Sequence, residues 1–180
     1  MKAYDQTRYQ TREDGESTRL PVGGYICKIT GVTDLPEKEY LRIEFDIADG
    51  PHKGYFAESY QRFGYWGGST IRSYKETARS MFNGFVQAVE NSNPGYKWDW
   101  NEKGLVGKLI GVVIGEREYL NKANEIRIGI QAAQIRSIDI IREGKYKPTE
   151  LRRLSAGDRA KAGAAASTGY TEVTDEDLPF

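Results

Sequence analysis

The chain contains one cysteine, Cys27, and one histidine, His52. No intrachain disulfide can form, and zinc sites built from Cys and His clusters are excluded. The two residues fall on different expected elements, which argues against Cys–His nucleophilic catalysis. No stretch approaches the ~18 consecutive apolar residues of a membrane-crossing helix. The N-terminal residues lack the apolar segment of a secretory signal, so a cytoplasmic protein is expected. A G-x-x-x-x-G-K-[ST] phosphate loop is missing, and the glycine-rich run 64–69 has no lysine. Glu116 and Glu118 share a strand face but alternate with Arg117 and Tyr119, as on an ordinary solvated strand. The expectation is a protein with no catalytic residues, no metal and no cofactor. Cys27 reads as a small buried apolar residue, and His52, after Gly50-Pro51, as a turn residue.

Net charge is also missing, but only in sum. The 26 basic residues balance the 26 acidic ones. Residues 162–180 hold four acids and no base, so the preceding body carries +4 and the tail −4. A weakly basic body with an acidic tail points towards nucleic acid. Because +4 is modest, any such site has to come from local clustering.

What is present favours β structure. Glycine (20 residues) and tyrosine (12 residues) are abundant, giving turns and strand-prone aromatics. Residues 1–19 are polar and read as a mobile arm. Strand character follows over 22–32. The clearest strand is 40–48, where Leu41, Ile43, Phe45 and Ile47 alternate with Arg42, Glu44 and Asp46. Residues 53–63 read as a third strand. Ser73-x-x-Glu76 fits a capping box, and Ala78, Met81, Phe82, Phe85, Val86 and Val89 give a helical stripe expected to lie in the core. Strand character returns over 104–119, a turn falls at 120–124, and alternation resumes over 125–133. Trp98 and Trp100 are expected to pack against the body.

Strand, strand, strand, helix, strand, strand is the order of a five-stranded OB-fold barrel with its helix between strands 3 and 4. A small β-sandwich with an inserted helix fits the same order. The all-β domain is expected over 20–148. Residues 149–171, rich in Ala, Gly and Ser, read as a flexible linker, and 172–180 as an acidic docking tip.

The tip carries a resemblance. Thr174 to Phe180 (TDEDLPF) resembles the C-terminal tip of bacterial and phage single-stranded-DNA-binding proteins, and the order of domain, linker and tip is that of the same family. The body suggests a divergent phage type. The resemblance implies a protein that coats single-stranded DNA and recruits replication or recombination proteins through Asp175, Glu176, Asp177, Leu178, Pro179 and Phe180. It also implies a homo-oligomer, although no interface is marked. Physical chemistry agrees with a docking role. A terminal Phe ring is a compact anchor, its carboxylate can pair with a cation, and Pro179 limits the backbone entropy lost on binding.

Binding single strands without sequence preference needs cations for phosphates and flat rings for bases. Lys53, Phe56, Tyr60, Arg62, Phe63, Tyr65, Trp66 and Arg72 interleave the two. On a strand, Phe56, Tyr60 and Arg62 would share the solvent face; the opposite register exchanges Phe56 for Tyr55. Arg42 would lie on the same groove wall, and Arg117, Tyr119 and Lys122 form a second cluster. Any one of these rings serves equally well as core. A DNA-free adaptor or virion-associated barrel, and a strand-annealing recombination protein, are the competing expectations.

Overall fold

A computed structural model describes residues 19–167. Residues 1–18 of the arm expected over 1–19, and the tip over 172–180, lie outside the described residues. Five strands form one antiparallel sheet in the order β3-β2-β1-β4-β5. They are β1 (Gly23–Leu35), β2 (Tyr40–Ile47), β3 (Ser69–Ser73), β4 (Leu109–Leu120) and β5 (Ile126–Arg136). Helix α1 (Tyr55–Phe63) joins β2 to β3, and α2 (Arg79–Ser92) joins β3 to β4. Helices α3 (Ile138–Arg142) and α4 (Ala156–Ser167) follow β5. No helix among the described residues is long and apolar enough to cross a membrane.

The long β1 organises the sheet. Its first half, Gly23 to Lys28, pairs with β4, and Cys27 to Leu35 pairs with β2. The register shifts between Ile29 and Gly31, a bulge that lets the strand bend as it changes partner. Alternation on β2 is as expected: Leu41, Ile43, Phe45 and Ile47 are all buried. They meet Phe82, Phe85 and Val89 of α2, with Val112 and Ile114 of β4, in one core. Met81 departs from expectation. It lies one residue off the Phe82–Phe85–Val89 stripe and is 71 % exposed. Cys27 is fully buried.

The capping box does not form. The Ser73 hydroxyl donates to Glu39 O (3.1 Å), and Ser73 pairs with Tyr40 as the end of β3. A short 3-10 turn, Glu76–Ala78, then leads into α2, whose start has no side-chain cap.

The main correction concerns 53–63. This segment is not the third strand but helix α1, and β3 begins only at Ser69. Two spacings coexist in YFAESYQRF. Phe56, Tyr60 and Arg62 alternate, while Phe56, Tyr60 and Phe63 recur at four and three. The second wins because tertiary contacts reward it. Asp46 of β2 accepts from Phe56 N (2.9 Å) through Oδ1 and from Ala57 N (3.2 Å) through Oδ2, capping the helix from a neighbouring strand. Gly64 (φ +74°) ends α1 in the left-handed region, and its N–H donates to Tyr60 O. Phe56 then buries its ring edge-to-face on Phe45, centroids 5.5 Å apart.

The sheet stops short of a closed barrel. Edge strands β3 and β5 approach within 8 Å at Cα but form no ladder. At about 3.3 Å per residue, the five-residue β3 is too short to span the eleven-residue β5.

Replacing Asp46 with Ala should destabilise the fold by about 1–2 kcal/mol, the usual cost of a lost cap. Urea denaturation measures this, with Glu58→Ala on the exposed side of α1 as the control. Equal effects would mean that Asp46 does not hold the helix.

Candidate nucleic-acid interface

The gap between β3 and β5 is a cleft of about 750 Å³. One wall is α1 and the loop after it, contributing Phe56, Arg62, Phe63, Tyr65 and Trp66. The other is the β4–β5 hairpin, contributing Arg117, Tyr119, Ile128, Gly129 and Ile130. Ser69, the first residue of β3, lies at the seam.

Glycines set the shape of both walls. A Cβ on Gly68 would sit 2.2 Å from Phe45 O and 2.8 Å from the Phe56 ring. Only glycine lets the loop lie flat on the core there, where Gly68 O also accepts from Phe45 N (2.8 Å). The same carbonyl accepts from Trp66 Nε1 (2.9 Å), which orients the half-buried indole. Tyr65 is left 66 % exposed, and its ring lies 6.4 Å from Phe63. Tyr60 is half exposed at 6.2 Å from Trp66. On the opposite wall, a Cβ on Gly129 would meet the Tyr119 ring at 3.1 Å, so glycine makes room for that ring against the strand.

The cations divide into two groups. Arg62 reaches over the Phe63 ring (5.3 Å) and Arg117 is exposed, while Glu58 is a carboxylate on the same rim. Arg19 crosses the cleft, donating to Glu116 Oε1 (3.1 Å) and Ile128 O (3.0 Å). Arg42, Lys53, Arg72 and Lys122 are not among the lining residues. Arg42 pairs with Glu44 (3.4 Å). Lys53 is exposed in the turn before α1, and Lys122 in the β4–β5 turn. Arg72 is half-buried, donates to Ile71 O (2.8 Å), and is lowered in pKa by desolvation.

Seven of the twelve residues expected to meet DNA therefore gather in one cleft: Phe56, Arg62, Phe63, Tyr65, Trp66, Arg117 and Tyr119. Phe56 supports it from the core rather than as a free platform. The residues missed were Arg19, hidden in a polar arm, and Ile128 to Ile130, read only as an alternating strand. Trp98 packs against Phe82 (6.2 Å), whereas Trp100 (φ +66°) is 82 % exposed.

The segment after β5 folds back onto the sheet. Tyr146 Oη accepts from Gly24 N (2.9 Å), and Lys147 O accepts from Gln134 Nε2 (2.8 Å). Arg152 then joins the free edge of β4: its N–H donates to Glu116 O (3.0 Å), and its carbonyl accepts from Glu118 N (2.9 Å). Within the span read as a linker, 150–154 is thus strapped to β4 and Ala156–Ser167 is helical. Glu118 fastens the strap by accepting from Leu154 N (3.0 Å) and from Arg159 Nη2.

These contacts, the Leu154 N–H first and the Arg159 charge after it, hold the Glu118 carboxyl below the ordinary glutamate range. A depressed carboxyl stabilises in full above its unfolded value of ~4.3 and loses that contribution as pH falls through the lower folded value. Hydrogen exchange at Leu154 N–H, measured against its intrinsic rate at each pH, should therefore stay slow at neutral pH and quicken under acid. Glu118→Gln should quicken it already at pH 7, and unchanged protection in that variant would contradict the assignment.

No protein-family model matches the chain, and no curated protein matches its sequence.

Proposed function

We propose that the protein binds single-stranded DNA without sequence preference and without catalysis, as an accessory of phage-type replication or recombination. The supporting observation is the cleft between β3 and β5, where rings of Phe63, Tyr65, Trp66 and Tyr119 converge with Arg62 and Arg117. Rings at two walls suit splayed bases, and guanidinium groups at the rim suit the phosphates that follow them. The strand order β3-β2-β1-β4-β5, with β3 and β5 adjacent, supports an OB-type reading of the domain. The sequence of the tip supports recruitment of partner proteins through Leu178, Pro179 and Phe180.

A tryptophan-fluorescence titration with poly-dT tests the DNA reading. Saturable quenching at low salt, weakened at high salt, is expected. Tyr65→Ala should cost about 1–3 kcal/mol of binding, the range for one lost stacking platform. Met81→Ala, on the exposed side of α2, should cost nothing measurable. The absence of any saturable signal at low salt would remove the reading.

For the tip, deletion of residues 172–180 should leave DNA affinity unchanged or slightly higher, since acids compete with phosphates for cations. A severe loss of affinity in that truncation would place the tip in the DNA site instead.

A further inference from the structure

We infer that Arg117 and Arg152 form a paired phosphate grip at the mouth of the cleft, supplied jointly by β4 and the C-terminal strap. The inference rests on the DNA reading and extends it to residues expected to be linker. Arg117 and Arg152 are partners in a parallel bridge. Residues paired across a ladder project from the same face, so the two guanidinium stems rise side by side. Arg117 lines the cleft, and Arg152, although not itself a lining residue, is its immediate neighbour across the bridge. Both residues are exposed, and neither makes an ion pair among the described residues.

That pairing is locally unfavourable, because like charges directly opposite on a ladder repel. The nearby carboxylates do not offset it. Glu116 is engaged by Arg19, and Glu118 by Leu154 N–H and Arg159. The strap is nonetheless built to hold Arg152 in place. Gly115 leaves room for Thr149, whose side chain would lie 3.0 Å from a Cβ there, and Gln134 holds Lys147 O. An anionic group between the two arginines turns the repulsion into two charge-assisted contacts. A phosphodiester leaving the aromatic cleft has that charge and arrives at that place.

The test uses the full chain with Arg152→Gln and Arg152→Glu, a fluorescent dT oligonucleotide, and tripolyphosphate as a base-free probe. Both variants should weaken oligonucleotide binding at low salt, Arg152→Glu by roughly tenfold. The slope of log affinity against log salt should fall by ~0.7 for each phosphate that the protein no longer neutralises. Arg152→Glu should melt no lower than wild type, because it places a carboxylate opposite Arg117. Tripolyphosphate should compete with the oligonucleotide for wild type and fail to do so for Arg152→Glu. Unchanged affinity and slope in both variants would overturn the grip while leaving the DNA reading intact. Wild type that takes tripolyphosphate through these arginines but no oligonucleotide would keep the grip and overturn the DNA reading. Wild type that takes neither would overturn both.

Discussion

The carboxylate of Asp46 decides what the rest of the molecule looks like. It sits at the end of β2, accepts from Ile47 N (2.8 Å) with one oxygen, and reaches across to two amides of α1. Amides at a helix start have no partner within the helix. Supplying one from a strand fixes where the helix begins and how it lies on the sheet. Phe56 is thereby set on Phe45, Gly68 is pressed against the same residue, and β3 is delayed until Ser69. The delayed, shortened β3 fails to pair with β5. The cleft is the space that this failure leaves, and the aromatic loop between α1 and β3 forms its wall.

Much of the sheet was legible because alternation is a direct imprint of a half-buried strand. Leu41, Ile43, Phe45 and Ile47 point one way because their strand has a wet face and a dry one. The apolar run of β4 was legible because its first half is buried on both faces, and the stripe Phe82–Phe85–Val89 of α2 because one side of a helix faces the core. The helix over 55–63 was not. Nine residues with a single fully buried side chain carry little periodic signal, and the deciding contacts come from Asp46, in another element. The glycines on either side, Gly54 and Gly64, were the available clue, since both take positive φ.

The site was legible in composition more than in geometry. Several of the rings and cations interleaved over 53–72 line one cleft even though the expected strand is a helix, because helix and loop together bring Phe63, Tyr65 and Trp66 to one wall. Arg42 was expected on the groove wall because the strand assumed for 53–63 would have lain beside it, and Arg72 because it falls within the same run of rings and cations; neither lines the cleft. In the structure, Arg42 leans on Glu44 and Arg72 folds back on its own strand. The strap was invisible because its bonds are backbone bonds to β4, and these leave no pattern in side-chain type.

Cys27 lies at the centre of the sheet, where β1 pairs with β2 on one side and β4 on the other. Burial, and then the nearby Asp46 charge, push its thiol far above the ordinary range, so it stays protonated and out of reach of water-borne reagents. As it is the only cysteine in the chain, the protein is chemically silent towards maleimides and other thiol-seeking dyes while folded. A cysteine introduced on the cleft rim would be the sole reactive handle, so a single probe can be attached beside the aromatic wall without first removing a native residue.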